Sequence, residues 1–346
     1  MNLKELNTIL VANELKSLYA ITNSIIKNKN SSILFFGFCN YVILLNIEIY
    51  DYINKVYDKG LTYPLKSRLK ESRARIKEYN IDSEKVLRKI EDLNYNSFKH
   101  YSEDLPIITK VFFGKLITNL GIYKYNNIII SNTFLIDKDF KSIIYKNEKI
   151  NRDKIRETGE VLGENLSFLY YIFFKDTQYT TKTNINEIIT SEDYNVTKKN
   201  KLLKSNIDIN ISLFFLDILS IINYCIVIID KFEICDELKY RIFYLAYYRT
   251  YHNLKIVVDN SSNDYLSIKK NIKKYEFLDN KNFRNSMFHY YLVDKLEENE
   301  IINDQMYLGI IYKYFGINDV DYKKQLKSYL KETSDSLSEY ILRNNQ

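Results

Sequence analysis

The stretch SLFFLDILSIINYCIVIID, residues 212–230, decides the fold class. A run this apolar is either a membrane span or a helix buried in a protein core. A span needs about 20 consecutive apolar residues, and this run is interrupted by Asp217 and Asn223. A second apolar run, SSILFFGFCNYVILLNIEIYDYI at residues 31–53, is broken by Asn46, Glu48 and Asp51. Both are read as central core helices, with no membrane contact.

Helical periodicity spreads outward from these two runs. The chain carries two prolines and eight glycines in 346 residues, too few for the many tight turns of a β-rich fold. An all-α or nearly all-α protein is expected. Helical runs are placed at 4–27, 31–57, 151–176, 210–232, 236–258 (Asp236 as cap), 263–277, 281–298 and 303–343, the last broken near Gly316. Further helices are expected to begin near Pro64, Ser83 and Pro106. One segment, 127–150, is rich in β-branched residues and alternates in places, so a short strand pair is expected there. From Thr177 to about Asn206 the chain turns polar, which predicts a boundary. Residues 1–206 then form a mainly helical N-terminal domain, and residues 207–346 an antiparallel bundle with short Asn/Asp-rich turns.

Composition narrows function only a little. Net charge is +6 and pI is ≈ 8.8, compatible with a polyanionic partner without requiring one. Three cysteines form no CxxC pair, so neither a disulfide framework nor a zinc site is expected. Free buried thiols in a reducing cytoplasm fit better. The N-terminus lacks a signal-peptide core, which also points to the cytoplasm. No GxxxxGK[ST], GxGxxG, GxSxG or HExxH occurs. GEVLGEN, residues 159–165, places two glycines inside a helical run and is no phosphate cradle. No Asp, Glu and His cluster has ligand-like spacing, so no metal and no cofactor are expected.

The stretch that does speak of chemistry is NKNFRNSMFHYYL, residues 280–292. Asn285 and His289 lie four apart and share a helical face. Arg284 stands at the start of the same helix, after the capping-type residues DNKN. A guanidinium, an amide and an imidazole would gather near a helix N-terminus, where backbone N–H groups favour anions. Such a set can hold a phosphate and move a proton.

Here RNSMFH resembles the signature of the HEPN superfamily: Arg, a polar residue that is commonly Asn, three more residues, then His. The resemblance covers 207–346, and residues 1–206 match no known pattern. It implies a metal-independent RNA endonuclease of bacterial defence or toxin systems, with Arg284 and His289 as the catalytic pair and Asn285 as their orienting neighbour. It also implies a homodimer that brings two motifs together, and an antitoxin or other defence-system protein as partner. The alternative is a non-catalytic helical scaffold, antitoxin or immunity protein that binds RNA or a protein partner. A further alternative puts the active site in residues 1–206.

Two other groups are candidates for gripping RNA. Arg249 and His252 lie three apart and would line the same cleft if their helix packs beside the motif helix. Lys66, Lys70, Arg73 and Lys77 form one basic stripe at helical spacing, able to contact phosphates through counterion release.

Overall fold

The computed structural model describes residues 2–57, 119–144, 152–175, 185, 189–195, 201–260, 265–292 and 295–343. The helices expected from Pro64 and Ser83 lie outside these residues, as does the Lys66, Lys70, Arg73 and Lys77 stripe; of the helix expected from Pro106 only residues 119–123 are described, and they are strand. Among the described residues the protein is mostly all-α, with ten α-helices and one small sheet.

In chain order these are α1 (Leu3–Ile26), α2 (Ser31–Tyr57), β1 (Asn119–Tyr125), β2 (Ile128–Asn132), α3 (Thr133–Ile144), α4 (Arg152–Phe174) and β3 (Thr190–Asn195). Then come α5 (Ile209–Asn223), α6 (Asp236–Asp259), α7 (Leu266–Lys274), α8 (Lys281–Phe288), α9 (Met306–Phe315) and α10 (Asp319–Ile341). Single turns of tighter or wider helix extend α5 through Lys231 and follow α7 at Glu276–Leu278.

The strands pair antiparallel in the order β2-β1-β3. β1 and β2 form a hairpin turned at Asn126 and Asn127, both left-handed at φ 50 and 62, the geometry that two-residue hairpin loops demand. The strand pair expected within 127–150 is thereby corrected. Among the described residues of that stretch only 128–132 is strand, and 133–144 is α3. Its partner strand lies upstream, inside a run whose spacing reads as helical. The Asn132 side chain accepts the Leu135 N–H at 2.9 Å, which caps α3 and ends the strand.

One hydrophobic core runs from Leu6 to Ile341. Helices from either side of the polar 177–206 stretch share it: α1 packs on α6 and α9, and α5 packs on β2 and α10. By length and composition two helices could cross a membrane, Ser31–Val56 and Ile209–Lys231, and inside this fold their apolar windows are 67% and 94% buried. Two of the polar residues that interrupt α5, Asp217 and Asn223, have partners. Asp217 accepts from Asn132 Nδ2 at 3.0 Å and pairs with Lys138 Nζ at 2.7 Å. Asn223 donates to the Ile129 carbonyl at 2.9 Å and accepts from the Ser334 hydroxyl at 2.6 Å. These bonds offset the desolvation of buried polar groups and fix α5 against β2, α3 and α10.

Cys39 and Cys225 are buried and Cys235 is half-buried, all as free thiols. Burial pushes the Cys225 thiol up to about 12, and it raises Cys39 too, helped by Asp139. Since the thiolate is the reactive form, a disulfide reagent at pH 8 should titrate at most one thiol in the native protein. After denaturation all three should react. Prompt reaction of two or more native thiols would contradict this burial.

Candidate functional site

α8 carries the motif, and it is built to stop early. At its start, the Asn280 side chain accepts the N–H groups of Asn282 and Phe283 at 2.9 and 3.0 Å. At its end, Arg241 of α6 donates Nη1 to the carbonyls of Ser286 and Met287 at 3.1 and 2.7 Å. A continuing helix would give those carbonyls to the N–H groups of Tyr290 and Tyr291. Arg241 takes their place, and the chain leaves the helix at His289, with φ −127 and ψ 144. The helix expected over 281–298 therefore ends at Phe288. Asn285 contributes its backbone carbonyl to the last bond, accepting the His289 N–H at 3.1 Å.

Beyond the helix, residues 290–292 are held at each step by α1 and α2. The Tyr290 hydroxyl donates to Glu14 Oε2 at 2.6 Å. Lys55 Nζ sits 3.3 Å from the Tyr291 ring centroid. The Leu292 N–H donates to Asn7 Oδ1 at 3.3 Å. Beneath lies the ion pair of Arg241 and Glu14, Nε to Oε2 at 2.7 Å and Nη2 to Oε1 at 2.9 Å, with both side chains fully buried. Burial pushes the Glu14 carboxyl upward against the pull of Arg241 and Tyr290. Burial also works against the charge of Arg241, but Glu14 outweighs it and holds the guanidinium above its usual pKa.

His289 is thus placed by its backbone and then oriented by a carboxylate. Its Nδ1 lies 2.9 Å from Glu48 Oε2, with the imidazole 40% exposed and Glu48 at 5%. A carboxylate accepts, so the geometry assigns the proton to Nδ1. This is the imidazole–carboxylate arrangement that fixes a histidine's tautomer and orientation in hydrolytic sites.

Arg284 is held differently. Its guanidinium lies over the Tyr248 ring at 5.3 Å and the Phe288 ring at 6.0 Å. Its single hydrogen bond among the described residues is to the Tyr248 hydroxyl at 3.3 Å. The Nε donor is buried and bonds to nothing. Arg241 and Arg249, by contrast, each face a carboxylate. Burial raises the Tyr248 phenol, with Arg284 opposing, so Tyr248 stays neutral beneath the cation.

The structure brings His252 to this patch and takes Arg249 away from it. α6 packs beside α8. The His252 ring lies 4.4 Å from that of Tyr248, and its Nε2 meets Asp279 Oδ1 at 3.0 Å. Arg249 instead pairs with Asp139 of α3 at 2.6 Å, 11% exposed, where Asn40 of α2 donates to the same carboxylate at 2.6 Å. Arg284 and His289 share no hydrogen-bond partner: one rests on α6, the other on α2. Sequence reading missed Glu48, Tyr248, Arg241 and Glu14 as parts of this site. For the two glutamates there was a signal, a carboxylate interrupting an apolar helix face.

Among the described residues no group of three or more His, Cys, Asp or Glu is placed to hold a metal ion. The chain matches no protein-family model, no curated protein and no solved structure.

Proposed function

We propose that this protein is a metal-independent RNA endonuclease of the HEPN kind, built on Arg284 and His289. The observation that carries the reading is the state of Arg284. Among the described residues it forms no ion pair with a carboxylate and is held against two aromatic faces. A guanidinium so held can offer strong charge-assisted bonds to phosphate oxygens. Five residues on, about 7.5 Å along a helix axis, His289 stands half-exposed with its tautomer set by Glu48.

The chemistry balances on these groups. The RNA 2′-hydroxyl gives its proton to a base and attacks the adjacent phosphorus, forming O2′–P as P–O5′ breaks. The leaving 5′-oxygen takes a proton from an acid. His289 serves as one of these, and Arg284 steadies the negative charge gathering on the phosphate oxygens. Tyr248 under Arg284, and His252 beside Tyr248, would meet the neighbouring nucleotide. A chain with one such motif is expected to work as a homodimer in the bacterial cytoplasm, within a defence or toxin system and beside an antitoxin or other defence protein.

A second reading, a non-catalytic scaffold, is favoured by one specific contact. Packing over Tyr248 and Phe288 alone gives Arg284 a structural use.

The test uses labelled single-stranded RNA with EDTA present. Wild type should leave 2′,3′-cyclic phosphate ends. His289→Ala should lower the rate by 100-fold or more, in line with losing a general acid or base, and Glu48→Gln by a smaller factor. Cleavage by His289→Ala at the wild-type rate would rule out the proposal. Inactivity of every protein, including a freshly assembled dimer, would favour the scaffold.

A further inference from the structure

A second candidate site lies away from α8. Between the end of α1, the start of α2 and the middle of α4 the fold leaves an open cavity of about 410 Å³. This falls in the range of small-molecule sites, roughly 300–1,000 Å³. Ile25 and Ile26 of α1, Phe35 and Phe36 of α2, and Leu162 of α4 make its walls apolar.

Its floor is Gly159 and Gly163, four apart on one face of α4. A Cβ added at either would meet no atom within 4 Å. Both sit in a helix, where alanine is the more stable residue. Other glycines here are forced by a close approach: a Cβ on Gly37 would fall 2.2 Å from the Tyr224 ring, and one on Gly309 would fall 2.3 Å from the Glu300 carbonyl oxygen. Nothing forces Gly159 and Gly163. Their structural effect is to keep the cavity open.

Among the described residues the charged side chains lining the cavity are Glu160 and Glu164, both exposed. The Glu164 carboxylate by itself exceeds the roughly half positive charge that the start of α2 contributes near Ser31 and Ser32. Aromatic faces at Phe35 and Phe36 also suit a cation.

We propose that this cavity binds a small amphiphile with an apolar body and a cationic amine head. The body fills the space over Gly159 and Gly163 against Phe35 and Phe36, and the head sits by Glu160 and Glu164. None of these residues belongs to the Arg284 and His289 site, so the inference stands apart from the nuclease reading.

The experiment is calorimetric titration of the full chain with decyltrimethylammonium below its micelle concentration. Decyl sulfate is the anionic control of equal chain length. Saturable one-to-one binding is expected, with the cation favoured by tenfold or more. Gly163→Leu adds a side chain into open space. It should keep the melting temperature at or above wild type and lose binding at least tenfold, and Gly163→Ala should lose less. Glu160→Gln with Glu164→Gln should erase the preference for the cation. Equal binding of the two amphiphiles by wild type, undiminished binding by a folded Gly163→Leu, or no saturable binding would each overturn the proposal.

Discussion

Arg241→Met is expected to destabilise the protein by about 3–5 kcal/mol, the usual range for removing one partner of a buried ion pair. Arg241 and Glu14 are both fully buried, so the change strands a carboxylate where water cannot reach it. It also unbonds the carbonyls of Ser286 and Met287, which Arg241 alone satisfies at the end of α8. A buried unsatisfied carbonyl costs about 1–3 kcal/mol. The double variant Glu14→Leu with Arg241→Met separates the two contributions. Replacing a buried ion pair with apolar residues of similar volume is often neutral, so the double should recover part of the loss. It should not recover all of it, because the α8 carbonyls stay unmet. Urea denaturation of wild type, single and double variants reads this directly. A double variant as stable as wild type would show that the carbonyl contacts contribute nothing. A single variant within 1 kcal/mol of wild type would contradict the buried pair itself.

Gly37→Ala is expected to cost about 1–3 kcal/mol, as overpacking of a filled core does. The added Cβ would fall 2.2–2.8 Å from three atoms of the Tyr224 ring. That ring cannot step aside easily. It is 2% exposed, its hydroxyl donates to the Leu34 carbonyl, and its backbone begins the wide helical turn Tyr224–Ile228. The helix-forming advantage of alanine over glycine, up to about 1 kcal/mol, opposes the clash but does not match it. The clash explanation requires that Gly37→Ala cost less in a Tyr224→Leu background. Equal costs in both backgrounds would place the strain elsewhere.

Much of the fold was legible in local spacing, because local forces decide it. The break between α9 and α10 was visible as Gly316, whose φ of 66 closes α9 in the left-handed region. The start of α2 followed from the apolar run that begins at Ser31. The hairpin was misplaced because its signal, Asn126-Asn127, sits among β-branched residues that also fit a helix. The end of α8 was not legible at all. It is set by a guanidinium some 45 positions away in sequence, and no window around RNSMFH contains it. The same distance hid the site's supports. Glu48 looked like a flaw in an apolar helix and is the group that orients His289. Arg249 looked like an RNA contact because spacing reports which face two residues share. It does not report that Asp139 occupies that face.

One feature of the core bears on how the chain is made. α5, whose apolar window is 94% buried, is covered along one side by α10, where the Tyr340 ring meets Phe215 and the Ser334 hydroxyl donates to Asn223. α5 is complete at Asn223, and α10 begins about a hundred residues later, at Asp319. At roughly 5–20 residues per second, the ribosome takes about 5–20 s to synthesise that interval. Throughout it the most membrane-like of the described segments is without α10, and a nascent chain caught there presents a sticky helix to chaperones and targeting factors.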